Sequence, residues 1–224
     1  MSVILEVKDL HKSYMDGEKS VEVLKGINLS LEAGQFGAIV GASGAGKSTL
    51  LSLIGALLKP DMGEIIVSGD SLSTYYKNGN INMYRKNHIG FIFQNHYLMP
   101  DFTILENVMM PLIVQNRNKK ESMQMAEEIL EKVGILNRKD HYPSQVSGGE
   151  SQRAAAARAI VKKPSIILAD EPTGNLDSVN TEKFINLLRD LQSQEQLTVL
   201  VVTHERRLAE SAEITFNISD GKII

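Results

Sequence analysis

The sequence predicts an α/β fold: a core with a mainly parallel sheet, carrying an antiparallel strand-rich subdomain and a helical subdomain. Three observations predict it. Residues 36–40, 166–169 and 198–202 are continuous apolar runs, the pattern of strands buried on both faces. The first of these leads straight into a glycine-rich loop and then a helical pattern, the strand–loop–helix order of an α/β unit. Residues 3–7 and, in part, 21–31 alternate apolar and polar side chains, as half-buried strands do. With 224 residues and 42% hydrophobic side chains the chain has ample core, and it is taken as a single domain, 1–224, with the helical subdomain at about 95–160.

In chain order, the alternating segments 3–7 and 21–31 are the first strands and 36–40 is the first buried one. A helix over 49–58 follows the glycine-rich loop. The turn-like Lys59-Pro60-Asp61-Met62-Gly63 then leads into a short strand at 65–67. Residues 103–142 read as helical: Met123, Ala126, Leu130 and Val133 recur at helical spacing, with Gly134 as the stop. An alanine-rich helix around 154–157 precedes the strand at 166–169. Phe184, Leu187, Leu188 and Leu191 form one stripe on the next helix, which Asp177 or Ser178 can cap, and 198–202 is a further buried strand. The sequence holds no internal repeat, low-complexity tract or linker.

Composition excludes several classes. A formal net charge of -3 provides no global positive field, so nucleic acid is not expected as a partner. Cysteine is absent, which excludes disulfides and thiolate metal sites. No apolar run approaches the ~20 residues that span a bilayer, and Glu6 and Lys8 come too early for a signal-peptide core. The expectation is a soluble intracellular chain that meets a membrane only through a partner.

Gly41-Ala42-Ser43-Gly44-Ala45-Gly46-Lys47-Ser48, followed by Thr49, has the spacing of a phosphate-binding loop between strand and helix. Glycines let the backbone approach an anion, so that successive N–H groups surround a phosphate. The helix that follows presents free N–H groups and its positive dipole end to the same phosphates. Lys47 can reach the terminal phosphates, and the Ser48 hydroxyl can ligate Mg²⁺. A second site stands in Ile166-Ile167-Leu168-Ala169-Asp170-Glu171-Pro172, where two carboxylates leave the end of a buried strand. Asp170 suits Mg²⁺ held through water. Glu171 suits the base that orients and deprotonates the water attacking a γ-phosphate.

Val146-Ser147-Gly148-Gly149-Glu150-Ser151-Gln152-Arg153 opens the alanine-rich helix and makes a second anion cradle from a hydroxyl and free N–H groups. In this order, and across essentially the whole chain, the residues resemble ATP-binding cassette (ABC) ATPases, whose signature motif Ser147-Gly148-Gly149 matches. Gln94 in Phe93-Gln94-Asn95 resembles the family's Q-loop, Asn175-Leu176-Asp177 its D-loop, and His204 in Val202-Thr203-His204-Glu205 its switch histidine. Tyr14 matches, by position only, the aromatic that stacks on adenine.

The resemblance implies ATP and Mg²⁺ as cofactors. It implies catalytic roles for Lys47, Gln94, Glu171 and His204, and Mg²⁺ at Ser48, Gln94 and Asp170. It also implies a homodimer in which the signature of one chain, with Asp177, closes over ATP on the loop of the other. Within the family, the run Glu106-Asn107-Val108-Met109-Met110-Pro111-Leu112, with Thr173-Gly174-Asn175-Leu176-Asp177 and Ser147-Gly148-Gly149-Glu150, is similar to one branch: macrolide-exporter, lipoprotein-releasing and FtsE-type ATPases.

That branch implies a separate integral-membrane permease of the FtsX or MacB kind, room for an extracytoplasmic adaptor, and a peripheral place at the cytoplasmic face of the membrane. A fused permease is not expected, since the sequence ends soon after Ile218-Ser219-Asp220-Gly221-Lys222-Ile223. Asn95-His96-Tyr97-Leu98-Met99-Pro100 and Phe102 are expected to offer exposed apolar groups to it. Ala42 stands where the family usually has Pro, Val146 where it has Leu, and residues 57–63 depart from the common run; none of these departures removes a group expected to touch phosphate or metal. A soluble regulator or assembly factor is the alternative, and residues 106–112 and 173–177 argue against it.

Overall fold

The computed structural model describes residues 2–17 and 19–224 and contains two sheets. In the first, β1 (Val3–Asp16) and β2 (Lys19–Glu32) pair antiparallel along their length. After β3 (Phe36–Gly41) and α1 (Lys47–Ile54), the chain returns to that sheet as β4 (Met62–Val67) and β5 (Asp70–Ser71), in the order β2-β1-β4-β5. Leu5, Val7, Leu24 and Ile27 of this sheet share one buried cluster with Leu50, Leu53 and Ile54 of α1. The helix expected over 49–58 is shorter at its C-terminus, because Gly55 caps it and Ala56 turns left-handed at φ 55°.

Two short helices, α2 (Leu72–Lys77) and α3 (Ile81–His88), precede β6 (Ile89–Phe93), and none of the three was read from the sequence. Their burial rests on side chains with polar tips. Tyr84 is fully buried, and its hydroxyl donates to the Ile54 carbonyl at 2.8 Å. The second sheet completes with β7 (Ile166–Asp170), β8 (Val199–Val202), β9 (Ile214–Ser219) and β10 (Lys222–Ile223). Its order is β10-β9-β3-β8-β7-β6, and only the β9–β10 pair is antiparallel. The mainly parallel core and the antiparallel subdomain are therefore both present.

Three longer helices, α4 (Ile104–Val114), α5 (Lys119–Lys132) and α6 (Gly148–Ile160), lie between β6 and β7; α7 (Ser178–Glu195) and α8 (Arg206–Glu210) follow later. Thr103 and Glu106 close a capping box on α4. Val108, Leu112, Ala126, Leu130 and Ala156 join Phe36, Ile167 and Val201 of the sheet in one buried cluster. The stripe read on α5 needs one correction. Met123 is 40% exposed, and the buried line is Ser122, Ala126, Ile129 and Leu130. At 100° per residue Met123 sits at the edge of that line, and the smaller Ser122 takes the close approach. Leu98 is a second correction: it packs against the core, whereas Tyr97 and Phe102 are exposed as expected.

In a parallel sheet of this order, the C-terminal ends of β3, β7 and β8 lie side by side, with Asp170 paired to Val202. The loops that leave those ends carry the polar groups, at the edge where open α/β sheets hold ligands.

Candidate functional site

The phosphate loop leaves β3 at Gly41 and enters α1 at Lys47. A Cβ on Gly41 would stand 2.2 Å from the Ile218 carbonyl oxygen, so only glycine lets β9 approach here. Gly46 caps α1 with φ 102°, a backbone conformation that glycine adopts without strain. Ala45 contributes backbone alone, because its side chain is buried with the core. The Lys47 ammonium folds back to donate to the Gly41 and Ala42 carbonyls, at 2.9 Å each. An open cleft of about 270 Å³ lies over the loop, lined by Ser43, Gly44, Gly46, Lys47, Ser48 and Thr49 together with Val23 and Glu171.

Ser48 Oγ donates to Asp170 Oδ1 at 3.0 Å. Burial is the largest influence on the Asp170 carboxyl and holds it above its usual value; Ser48 and Lys47 pull against that, and Glu171 adds to it. A hydroxyl beside a half-buried carboxylate is a hard-oxygen pair, which fits Mg²⁺. Among the described residues no cluster of three or more His, Cys, Asp or Glu could hold a metal alone. An ion here would complete its shell from phosphate and water, the usual habit of Mg²⁺.

Glu171 takes a left-handed φ of 46°, uncommon for a residue with a side chain. Its amide donates to the Val202 carbonyl at 2.9 Å and its own carbonyl accepts from Gly174 at 3.0 Å. The turn aims its carboxylate at the end of β8. Oε1 lies 2.9 Å from His204 Nδ1, and Oε2 accepts from the His204 amide at 3.3 Å. Two of the four predicted catalytic residues thus form one unit, a carboxylate against an imidazole. The sequence placed them separately, 33 positions apart.

Gln94 follows β6, and its partner is not on the metal side. Nε2 is 3.3 Å from Asn175 Oδ1, and neither Ser48 nor Asp170 is among its hydrogen-bond partners. Asn175, quoted in a motif but given no role from sequence, is the residue that sequence reasoning missed.

Ser147 caps α6 and shares a capping box with Glu150, which Arg138 holds at 2.8 Å. The Arg138 hydrogen bond, then the Ser147 amide, pull the Glu150 carboxyl down to about 2. Gly148 and Gly149 occupy the first turn, where amides have no intrahelical acceptor. This second cradle does not line the cleft over the phosphate loop. Asp177 caps α7: Oδ1 accepts the Asn180 amide at 2.9 Å and Oδ2 the Asn180 side chain at 2.7 Å, which lowers its carboxyl. Tyr14 is 39% exposed on β1, 5.8 Å from the Lys12 ammonium, and also lies outside the phosphate-loop cleft.

The family model described as ABC transporter matches residues 24–174. A lipoprotein-releasing system ATP-binding protein LolD from Saccharophagus degradans is 45% identical over 218 residues, covering 97% of this chain and 95% of that protein. The protein of the same name from Acinetobacter baylyi is 44% identical over 223 residues, covering 98% and 96%. Among solved structures, the dimeric post-hydrolysis state of the ATP-binding cassette MJ0796, bound to ADP and Pi, has a TM-score of 0.88 at 38% identity, covering 98% of this chain and 96% of that one. cbiO1 from Clostridium perfringens, part of an ABC transporter complex, has a TM-score of 0.89 at 28% identity, covering 100% and 88%.

Proposed function

The chain belongs to the ABC transporter family as an ATP-binding and hydrolysing subunit, and from that premise we propose that it powers a lipoprotein-releasing membrane system through a separate permease. Relatives named for lipoprotein release, 45% and 44% identical over nearly the whole chain, support that reading. The whole of 1–224 acts as one ABC ATPase domain, with residues of about 95–160 as its helical part.

ATP lies along the loop, its phosphates held by backbone amides of Gly41, Ser43, Gly44, Ala45 and Gly46 and by the Lys47 ammonium, with Thr49 beside them. Tyr14 stacks on the base. Mg²⁺, at Ser48, Asp170 and Gln94, would neutralise charge on the phosphate oxygens. Glu171 accepts the proton of the attacking water. His204 holds Glu171 in place and faces the γ-phosphate. Preorganised charge of this kind is the largest lever a phosphoryl-transfer site has.

One observation carries the dimer: a single chain holds two anion cradles that do not share a cleft. Ser147, Gly148 and Gly149 of a second copy, with its Asp177, complete the site head to tail. The absence of native cysteine makes a clean test. Ser43→Cys goes on one tagged Glu171→Gln chain and Val146→Cys on a differently tagged one. With Mg-ATP a short bifunctional thiol reagent should join the tags, and without nucleotide it should not. A link only when both cysteines share one chain would overturn the composite site.

The permease, of the FtsX or MacB kind, docks on the groove beside β6. Phe91 and Phe93 stack at 5.0 Å along it, Phe93 meets Tyr97 edge-on at 5.3 Å, and Pro111, Arg158 and Lys162 line the rest. Among the described residues neither cation has a carboxylate partner. Burial lowers both, Lys162 to about 8. No described helix is long and apolar enough to cross a membrane. In this reading the permease holds the chain at the cytoplasmic face and meets any extracytoplasmic adaptor.

A further inference from the structure

The segment 93–97 is gripped from two sides. From α6, Gln152 Nε2 donates to the Phe93 carbonyl at 3.2 Å, and its Oε1 bonds His96 Nδ1. Arg158 donates from Nη1 to the Tyr97 carbonyl and from Nη2 to the His96 carbonyl, at 2.6 Å each. These bonds fix the backbone and leave the Gln94 side chain free.

Asn175 does not leave it free. Its Oδ1 accepts from Gln94 Nε2 at 3.3 Å, while its Nδ2 donates to the Gln94 carbonyl at 3.1 Å and to Asn95 Oδ1 at 3.0 Å. Both ends of one amide are thus committed to two consecutive residues. Gly174 makes the approach feasible: a Cβ there would stand 2.7 Å from Gln94 Nε2. The turn after β7 therefore presents a bare backbone and one amide to Gln94, directly beside the residue that follows Asp170.

We infer that Asn175 is a latch, a positioning residue that holds Gln94 off the metal position. This rests on the reading of Gln94 as a Mg²⁺ ligand. Gln94 Nε2 lies on Asn175, and the side chain bonds neither Ser48 nor Asp170, so on this reading metal-loaded nucleotide draws Gln94 from the latch when its Oε1 is recruited. The latch makes part of metal affinity conditional on the turn 173–177, the same turn that faces a second copy in the composite site. Its expected strength follows from partly exposed neutral hydrogen bonds, about threefold to tenfold in an equilibrium.

The test is a double-mutant cycle on the full chain. Calorimetry gives the affinity for AMP-PNP with Mg²⁺ and with EDTA in wild type, Asn175→Ala, Gln94→Ala and the double variant. Asn175→Ala should raise the ratio of the two affinities about threefold to tenfold, and only while Gln94 is present. No change, or an equal rise in the Gln94→Ala background, overturns the latch. Hydrogen exchange without nucleotide provides the second readout: amides of 93–97 should exchange faster in Asn175→Ala, and unchanged protection also overturns it. If Gln94→Ala alone leaves the ratio untouched, the ligand reading beneath the proposal falls, and hydrogen exchange still decides whether Asn175 holds the segment. Asn175→Ser serves in place of Asn175→Ala if the latter does not fold by thermal unfolding.

Discussion

Glu171 owes its aim to one backbone angle, the left-handed φ of 46° that turns its carboxylate onto His204. A base needs a fixed direction as much as a proton affinity. Glu171→Gln keeps the shape and removes the proton acceptor, so hydrolysis should fall by roughly 10²–10⁴ while nucleotide binding survives. Steady-state phosphate release with equilibrium binding checks both halves, and full turnover would remove Glu171 as the base. His204→Ala removes the group that holds Glu171 and faces the γ-phosphate but leaves the proton acceptor, so its loss should be smaller than that of Glu171→Gln. An equal or larger loss would mean that His204, and not Glu171, supplies the dominant catalytic group. Lys47, Ser48, Asp170 and Glu171 were readable from chemistry, which restricts the residue types that hold phosphate, metal and water, whereas Gln94 and His204 were candidates only through the family resemblance. The pairings were readable from neither. The bond from Glu171 to His204, and the one from Gln94 to Asn175 across 81 residues, depend on how β6, β7 and β8 lie together.

At the scale of the element, α6 is the most tightly specified. Ser147 and Glu150 close its first turn, and Arg138 holds Glu150 from the preceding loop. The pH dependence follows in sign. The Glu150 carboxyl lies lower in the folded chain than its usual 4.5, so its contribution is complete above that value and is lost as pH falls toward about 2. Glu150→Gln keeps the cap acceptor but loses the charge. The gap in Tm between wild type and this variant should be constant at neutral pH and close between about pH 4.5 and about 2. A gap independent of pH would leave the Arg138 pair without a role in stability. The start of α6 at Ser147-Gly148-Gly149 was read from sequence; its pairing with Arg138 was not, since nothing in a short turn announces which helix it will meet. The helices α2 and α3 were missed for a related reason: Tyr75, Tyr84 and His88 pack there against one another, and such side chains make a weak apolar period.

For the molecule as a whole, β3, β7 and β8 at the centre of the parallel core were the most readable part, because a strand covered on both faces has to be apolar throughout, whereas β6 and the alternating β9 beside them were not read. The groove beside β6 was only half readable: Tyr97 and Phe102 were expected at the surface, but the two half-buried cations come from α6 and the residues just after it. Lys162→Glu should weaken retention of the chain on membranes that contain the permease, without lowering hydrolysis by the purified chain. Quantitative blotting of washed membranes reads the first and phosphate release the second; undiminished retention would move the docking surface elsewhere. The two ends of α6 carry a further consequence. Its 13 residues make a rod of about 20 Å, so a tilt of about 5° displaces the far end by about 2 Å. In the composite site proposed above its N-terminus faces phosphate on the other chain, whereas its flank grips residues 93–97 of its own. Such a site would cross the wiring: ATP on one chain would be felt by the lever arm of its neighbour, and the half of the permease that hears of it would be the half opposite the nucleotide.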